Sequence, residues 1–137
     1  MNLAQILAAA ATEHGARTAL HLADGPVSFR ELERRANAAA ARLRELGVEL
    51  GDRVGLKLQN GPEFAGAWFG ALRLGAIVVP LNILLAPREI EERMRTSGAR
   101  LLVDDPDLLR DGSETEAAVA DRSSEDPAVI LFTSGTS

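Results

Sequence analysis

Cysteine is absent from the 137 residues, which excludes disulfides, thiolate metal sites and a cysteine nucleophile. Only two histidines occur, His14 and His21, in unrelated local contexts, so an imidazole metal site is not expected. No apolar run approaches the roughly 20 residues that a bilayer-spanning helix needs. A basic excess is lacking as well: 15 Lys and Arg against 20 Asp and Glu leave a net charge of -5, with no general cationic field for nucleic acid. The alanine-rich start has no positively charged opening, and Glu13 and His14 follow it directly. It therefore reads as a short surface helix of a cytoplasmic protein and not as an export signal.

What is present is the composition of an ordinary globular chain, 46% hydrophobic and 26% charged, long enough for one domain with its own core. Thr18–Leu22 and Val27–Phe29 flank Asp24-Gly25-Pro26, which reads as a hairpin with an Asp-Gly turn. Ser28 followed three residues later by Glu31 reads as a capping box. The helix it opens places Phe29, Leu32, Ala36, Ala39, Leu43 and Leu46 on one stripe and ends at Gly47. Its arginines, interspersed with glutamates, read as a solvated face.

Arg53–Leu58 is a strand, Asn60-Gly61-Pro62-Glu63 is a helix start, and the helix Glu63 to Leu74 is apolar nearly all round, with Trp68 in a core role. Ala76–Leu81 suits an interior parallel strand whose end Pro80 marks. A helix from Pro87 to Ser97, closed by Gly98, and a short strand Leu101–Val103 follow. Residues 104–127 read as a surface connection with helical turns near Leu108-Leu109 and Ala117–Val119. Ala128–Phe132 then returns as a buried strand. The order predicts an α/β fold, a parallel sheet flanked by helices with a small leading hairpin and right-handed crossovers.

The segment with chemistry in it is Thr133-Ser134-Gly135-Thr136-Ser137. Four hydroxyls around a glycine, past the carboxyl end of a strand, stand where open α/β sheets bind ligands. Small residues let the backbone approach a phosphate and supply N–H and O–H donors without bulk. The stretch is not the lysine-bearing GxxxxGKS/T loop. From these residues alone, a polar turn and a phosphate site read equally well. His14, His21 and Asn82 read as surface or turn residues.

The run Ile130-Leu131-Phe132-Thr133-Ser134-Gly135-Thr136-Ser137 resembles the opening of the phosphate loop of the adenylate-forming acyl-CoA synthetases, Tyr/Phe-Thr-Ser-Gly-Thr-Thr/Ser-Gly-x-Pro-Lys-Gly. Upstream patches resemble the same family in order. They are Val27–Leu32 with Arg35-Ala36-Asn37, Gly47-Val48 with Gly51–Val54, Asn60–Phe64, Leu72–Ala76 and Val79–Asn82. The likeness thus covers nearly the whole chain.

The resemblance implies a two-step ligase. A carboxylate attacks the α-phosphorus of ATP, giving an acyl-adenylate and pyrophosphate, and a thiol then displaces AMP. It implies ATP, Mg2+ and CoA as cofactors or substrates, a small-molecule carboxylic acid as partner, and Thr133, Ser134, Gly135, Thr136 and Ser137 as phosphate contacts. No catalytic and no metal residue is expected within the chain.

Residues 1–137 are expected to be the N-terminal α/β portion of an AMP-binding domain. The second half of the loop, the adenine and ribose contacts and the C-terminal lid domain lie elsewhere, in a longer or separately docked polypeptide. The chain alone is expected to be inert. The connection between Val103 and Asp126 looks short for one peripheral βα unit. Two other readings stand beside this one. An adenylation module loading a carrier protein is disfavoured by Leu81-Asn82, where such modules tend to read Pro-Leu-Asp. The other is a non-catalytic nucleotide- or partner-binding domain.

Overall fold

A computed structural model of the protein describes residues 2–110 and 118–133. The chain opens with α1 (Ala4–His14), and the side chain of Asn2 starts it by accepting from the N–H of Ala4 at 2.8 Å. The same amide donates to the carbonyls of Leu72 and Ala120, pinning the N-terminus to the core.

A two-stranded antiparallel ribbon follows, β1 (Thr18–Leu22) with β2 (Gly25–Ser28). Leu22 pairs with Gly25, so the turn residues are Ala23 and Asp24, one step earlier than the Asp-Gly signal suggests. Gly25, at φ 127°, enters the strand itself.

The helix α2 (Phe29–Glu45) is capped by Ser28, whose hydroxyl accepts from Glu31 N–H at 3.1 Å. Only this half of the expected capping box forms. The Glu31 carboxylate turns to Arg34 and Arg35, a charged fork that outcompetes a neutral backbone donor. The stripe is buried as its spacing predicts, with Leu32, Ala36, Ala39 and Leu43 each at most 3% exposed. Gly47 takes the left-handed conformation after the helix, at φ 91°.

Then β3 (Arg53–Leu56), α3 (Pro62–Arg73), β4 (Ile77–Pro80), α4 (Pro87–Ser97) and β5 (Leu101–Val103) alternate. The strands are parallel in the order β4-β3-β5, with Val54 beside both Val78 and Leu101. The chain moves one way from β3 to β4 and back across β3 to β5. Right-handed crossovers in opposite directions put α3 and α4 on opposite faces.

The two cores agree with this. Val54, Leu56, Val78 and Val103 pack with α2 and α3, whereas Val79, Leu81 and Leu102 pack with Ile90 and Met94 of α4. Ile77, Val78 and Val79 are buried, which bears out the reading of the apolar run, and the partly exposed Pro80 ends the strand. Trp68 lies partly buried against the first core, tilted on Phe64 at 5.8 Å.

Beyond β5 a 3-10 turn, Pro106–Leu109, is capped by Asp105. The turn expected at Ala117–Val119 falls partly outside the described residues. Residues 118–120 are not helical, and Ala120 N–H instead donates to the Arg73 carbonyl. Among the described residues no helix is long and apolar enough to cross a membrane.

Two carboxylates are held by charged and hydrogen-bonding neighbours, Glu31 within α2 and Asp52 ahead of β3. Glu31 is held below the usual carboxylate range first by the hydrogen bond from Arg34, then by Arg34 and Arg35 charge. Asp52 is lowered first by the backbone N–H of Glu49 and further by Arg100. A lowered folded value means that the stability these groups contribute is complete above the unfolded values near pH 4 and is lost as pH falls through the folded ones. Thermal melts between pH 7 and 3 should show a flat midpoint down to about pH 5 and a decline below about pH 4. In the double variant Glu31→Gln, Asp52→Asn that decline should be shallower, and an equal slope would remove these two groups as its cause.

Candidate functional site

The carboxyl ends of the parallel strands open on one side of the sheet. After β3 come Leu58, Gln59 and Asn60. After β4 comes Asn82, whose side chain accepts from Leu84 N–H at 2.8 Å and closes a local turn. Leu58, Gln59, Asn60, Phe64, Pro80 and Asn82 border one cleft there, and Lys57, Glu63, Asp104 and Pro106 border its neighbour. Asn82 as a turn residue agrees with the sequence reading.

The last described segment joins this edge. Val129 bridges Val78 in parallel: Val78 N–H donates to the Ala128 carbonyl at 2.8 Å, and Ile130 N–H donates to the Val78 carbonyl at 2.8 Å. Residues 128–130 therefore extend the sheet beyond β4. Thr133 follows three residues after the last of these bonds, in the direction of the carboxyl end where α/β sheets take ligands.

The buried strand expected over Ala128–Phe132 is corrected here to a single bridge. Val129 and Ile130 are half-buried, but Leu131 is 71% exposed. The reason is one-sided pairing. Among the described residues nothing pairs with the outer edge or covers Leu131, and one ladder alone holds little of a strand.

Of the five residues read as phosphate contacts, Thr133 is placed, and it is exposed. Ser134, Gly135, Thr136 and Ser137 lie outside the described residues. Phe132, which leads into Thr133, packs with Val79, Leu81 and Ile90, and the Arg93 guanidinium carbon stands 5.3 Å from its ring centroid.

Two interactions were not anticipated from sequence. One is the Arg93–Phe132 stack, across 39 positions that carry no shared pattern. The other is an ion pair between Arg73 and Glu33 with side chains 2% and 14% exposed. A charged residue in the last turn of an otherwise apolar helix was the available signal for the second. Among the described residues no three His, Asp or Glu come together as a metal site.

Comparison with known proteins bears on the whole chain. The AMP-binding enzyme family matches residues 7–137. A 3-hydroxybenzoate–CoA/4-hydroxybenzoate–CoA ligase of Thauera aromatica is 39% identical over 95 residues, 69% of this chain and 18% of that ligase. A long-chain-fatty-acid–CoA ligase of Salmonella typhimurium is 39% identical over 103 residues, 74% of this chain and 18% of that protein. The N-terminal subdomain of Klebsiella oxytoca NpsA superposes with a TM-score of 0.88 at 26% identity, over 98% of this chain and 39% of that one. The chain thus spans less than a fifth of the length of the curated relatives named here. A parallel sheet flanked by helices, the ribbon in front of it, and a match from residue 7 to residue 137 leave one assignment: the chain belongs to the AMP-binding enzyme family of adenylate-forming enzymes.

Proposed function

We propose that this chain is the N-terminal, phosphate-gripping part of the large domain of an AMP-forming acid–CoA ligase. The reading is supported by the bridge of Val129 to Val78, from which the chain runs on toward Thr133, in a chain whose relatives at 39% identity are acid–CoA ligases. In the complete polypeptide, a carboxylate oxygen attacks the α-phosphorus of ATP and expels pyrophosphate. The thiol sulfur of CoA then attacks the acyl carbon and expels AMP.

The contribution of Thr133 to Ser137 is to hold the β- and γ-phosphates through hydroxyl and backbone donors, orienting the leaving group and offsetting its charge. Magnesium, when bound with the nucleotide, neutralises further phosphate charge. The chain by itself is expected to be inert.

The test is ATP–pyrophosphate exchange by the complete polypeptide with aromatic and aliphatic acids. Exchange with at least one acid, and release of AMP on adding CoA, is expected. Transfer to a carrier-protein thiol in preference to CoA would establish the carrier-loading reading instead. Absence of exchange with every acid would sink the ligase. Within an active enzyme, Gly135→Val should raise KM for ATP about tenfold or more, the loss of one or two hydrogen bonds to a charged group, with the thermal midpoint unchanged. An unaltered KM would remove the loop from the phosphate site.

A further inference from the structure

The lead-in to the loop is held by very little backbone. The last ladder hydrogen bond between described residues runs from Ile130 N–H to the Val78 carbonyl. Leu131 faces solvent. The one side chain tying residues 131–133 to the sheet is therefore the Phe132 ring, lodged against Val79, Leu81 and Ile90. Its remaining side meets Arg93 of α4, with the guanidinium carbon 5.3 Å from the ring centroid, within cation–π range. Arg93 is half-buried, and no ion pair claims it among the described residues.

From this geometry we infer that Arg93 is a positioning residue for ATP: it clamps Phe132 and thereby fixes where the chain leaves the sheet at Thr133. The inference rests on the phosphate-loop reading of residues 133–137. A ring released from its slot frees Leu131, Phe132 and Thr133 together, because no ladder bond between described residues holds them. Thr133 then samples positions away from the phosphates, and ATP binding pays the ordering entropy again. Binding of the acid, to which the proposal assigns none of these residues, should be indifferent.

The test compares wild type, Arg93→Met and Arg93→Lys in the complete polypeptide. Methionine keeps an apolar stem over the ring and removes the cation, while lysine keeps a cation. Chymotrypsin cleaves after Phe132 only when the ring has left its slot to enter the protease's hydrophobic pocket, so nicking at Phe132-Thr133 follows the released population. Arg93→Met should nick about two- to fivefold faster, and its KM for ATP should rise by a similar factor, the size of a partly exposed cation–π contact. Its kcat and its KM for the acid should stay put, and Arg93→Lys should restore most of both effects.

Equal nicking in wild type and Arg93→Met would overturn the clamp. Faster nicking with an unmoved KM for ATP would overturn its role in positioning, as would a lysine variant no better than methionine. The nicking assay needs no turnover, so failure of the clamp is distinguishable from failure of the ligase in ATP–pyrophosphate exchange.

Discussion

Replacing Gly70 with valine is expected to cost about 3 kcal/mol of stability, the upper end for forcing extra carbon into a filled interface. Gly70 lies on α3 where it crosses α2, and a Cβ built there would stand 2.8 Å from Ala39 Cβ, 2.9 Å from the Ala36 carbonyl oxygen and 2.9 Å from Ala40 N. Two of those three atoms belong to a helix backbone and cannot rotate aside. The helices must separate, which loosens Leu43, Leu72 and the rest of the core beneath them.

Gly70→Ala should cost roughly half as much, because its single methyl also gains about 1 kcal/mol of helix propensity. Gly66, one turn earlier, is the internal control. Its Cβ would meet Arg35 Cβ at 3.1 Å and nothing else inside 3.6 Å. Gly66→Ala should therefore change stability by no more than about 0.5 kcal/mol, the push and the propensity gain nearly cancelling. Urea midpoints at constant m separate the two positions. Equal effects would mean that α2 and α3 are not in close contact at Gly70.

The contrast shows which parts of the fold could be read along the chain. Alternation, caps and periodicity are local, so the strands, α2 with its Ser28 cap, the Pro62 and Pro87 helix starts and the Gly47 and Gly98 stops were legible. The parallel order followed from the connections, since each helix between strands must cross a face. The small residues Ala36, Ala39, Ala40, Gly66 and Gly70 gave no separate signal, because an alanine in a helix is explained by propensity alone. Only the crossing of α2 with α3 makes them an interface.

The candidate site was legible to the same local depth. A strand followed by hydroxyls and glycine pointed to a ligand-bearing edge, but apolar character overstated the strand before it. Apolar residues at 128–132 measure an appetite for burial, and Leu131 shows that appetite unmet where no neighbour stands beside it. Arg93 on Phe132 and Arg73 on Glu33 join residues 39 and 40 positions apart. Neither pair shares an element, so no spacing could reveal them.

Arg73→Met should be the other strongly destabilising change, at about 3–5 kcal/mol, despite substituting an apolar side chain into an apolar surrounding. Arg73 is only 2% exposed, in the last turn of α3, and its guanidinium donates to the Glu33 carboxylate of α2. Both ions lost most of their hydration on folding, and each is tolerable because the other is there. Removing the arginine takes a buried counter-charge from the Glu33 carboxylate, 14% exposed, which the neutral Asn37 amide, donating at 3.5 Å, does not replace.

A sharper test comes from the double variant. Arg73→Met with Glu33→Met removes both charges at once, and a well-packed apolar pair at such a site is often no less stable than the ions. The double variant should thus recover most of what the single one loses, giving a coupling of about 2 kcal/mol or more. Arg110 with Asp107, at 66% and 63% exposure, is the comparison. Breaking that pair should cost under about 1 kcal/mol, since water solvates whichever ion remains. If Arg73→Met were as mild as Arg110→Met, the Arg73–Glu33 pair would be as well hydrated as a surface pair, and the α2–α3 junction would have to be more open to water than its burial implies.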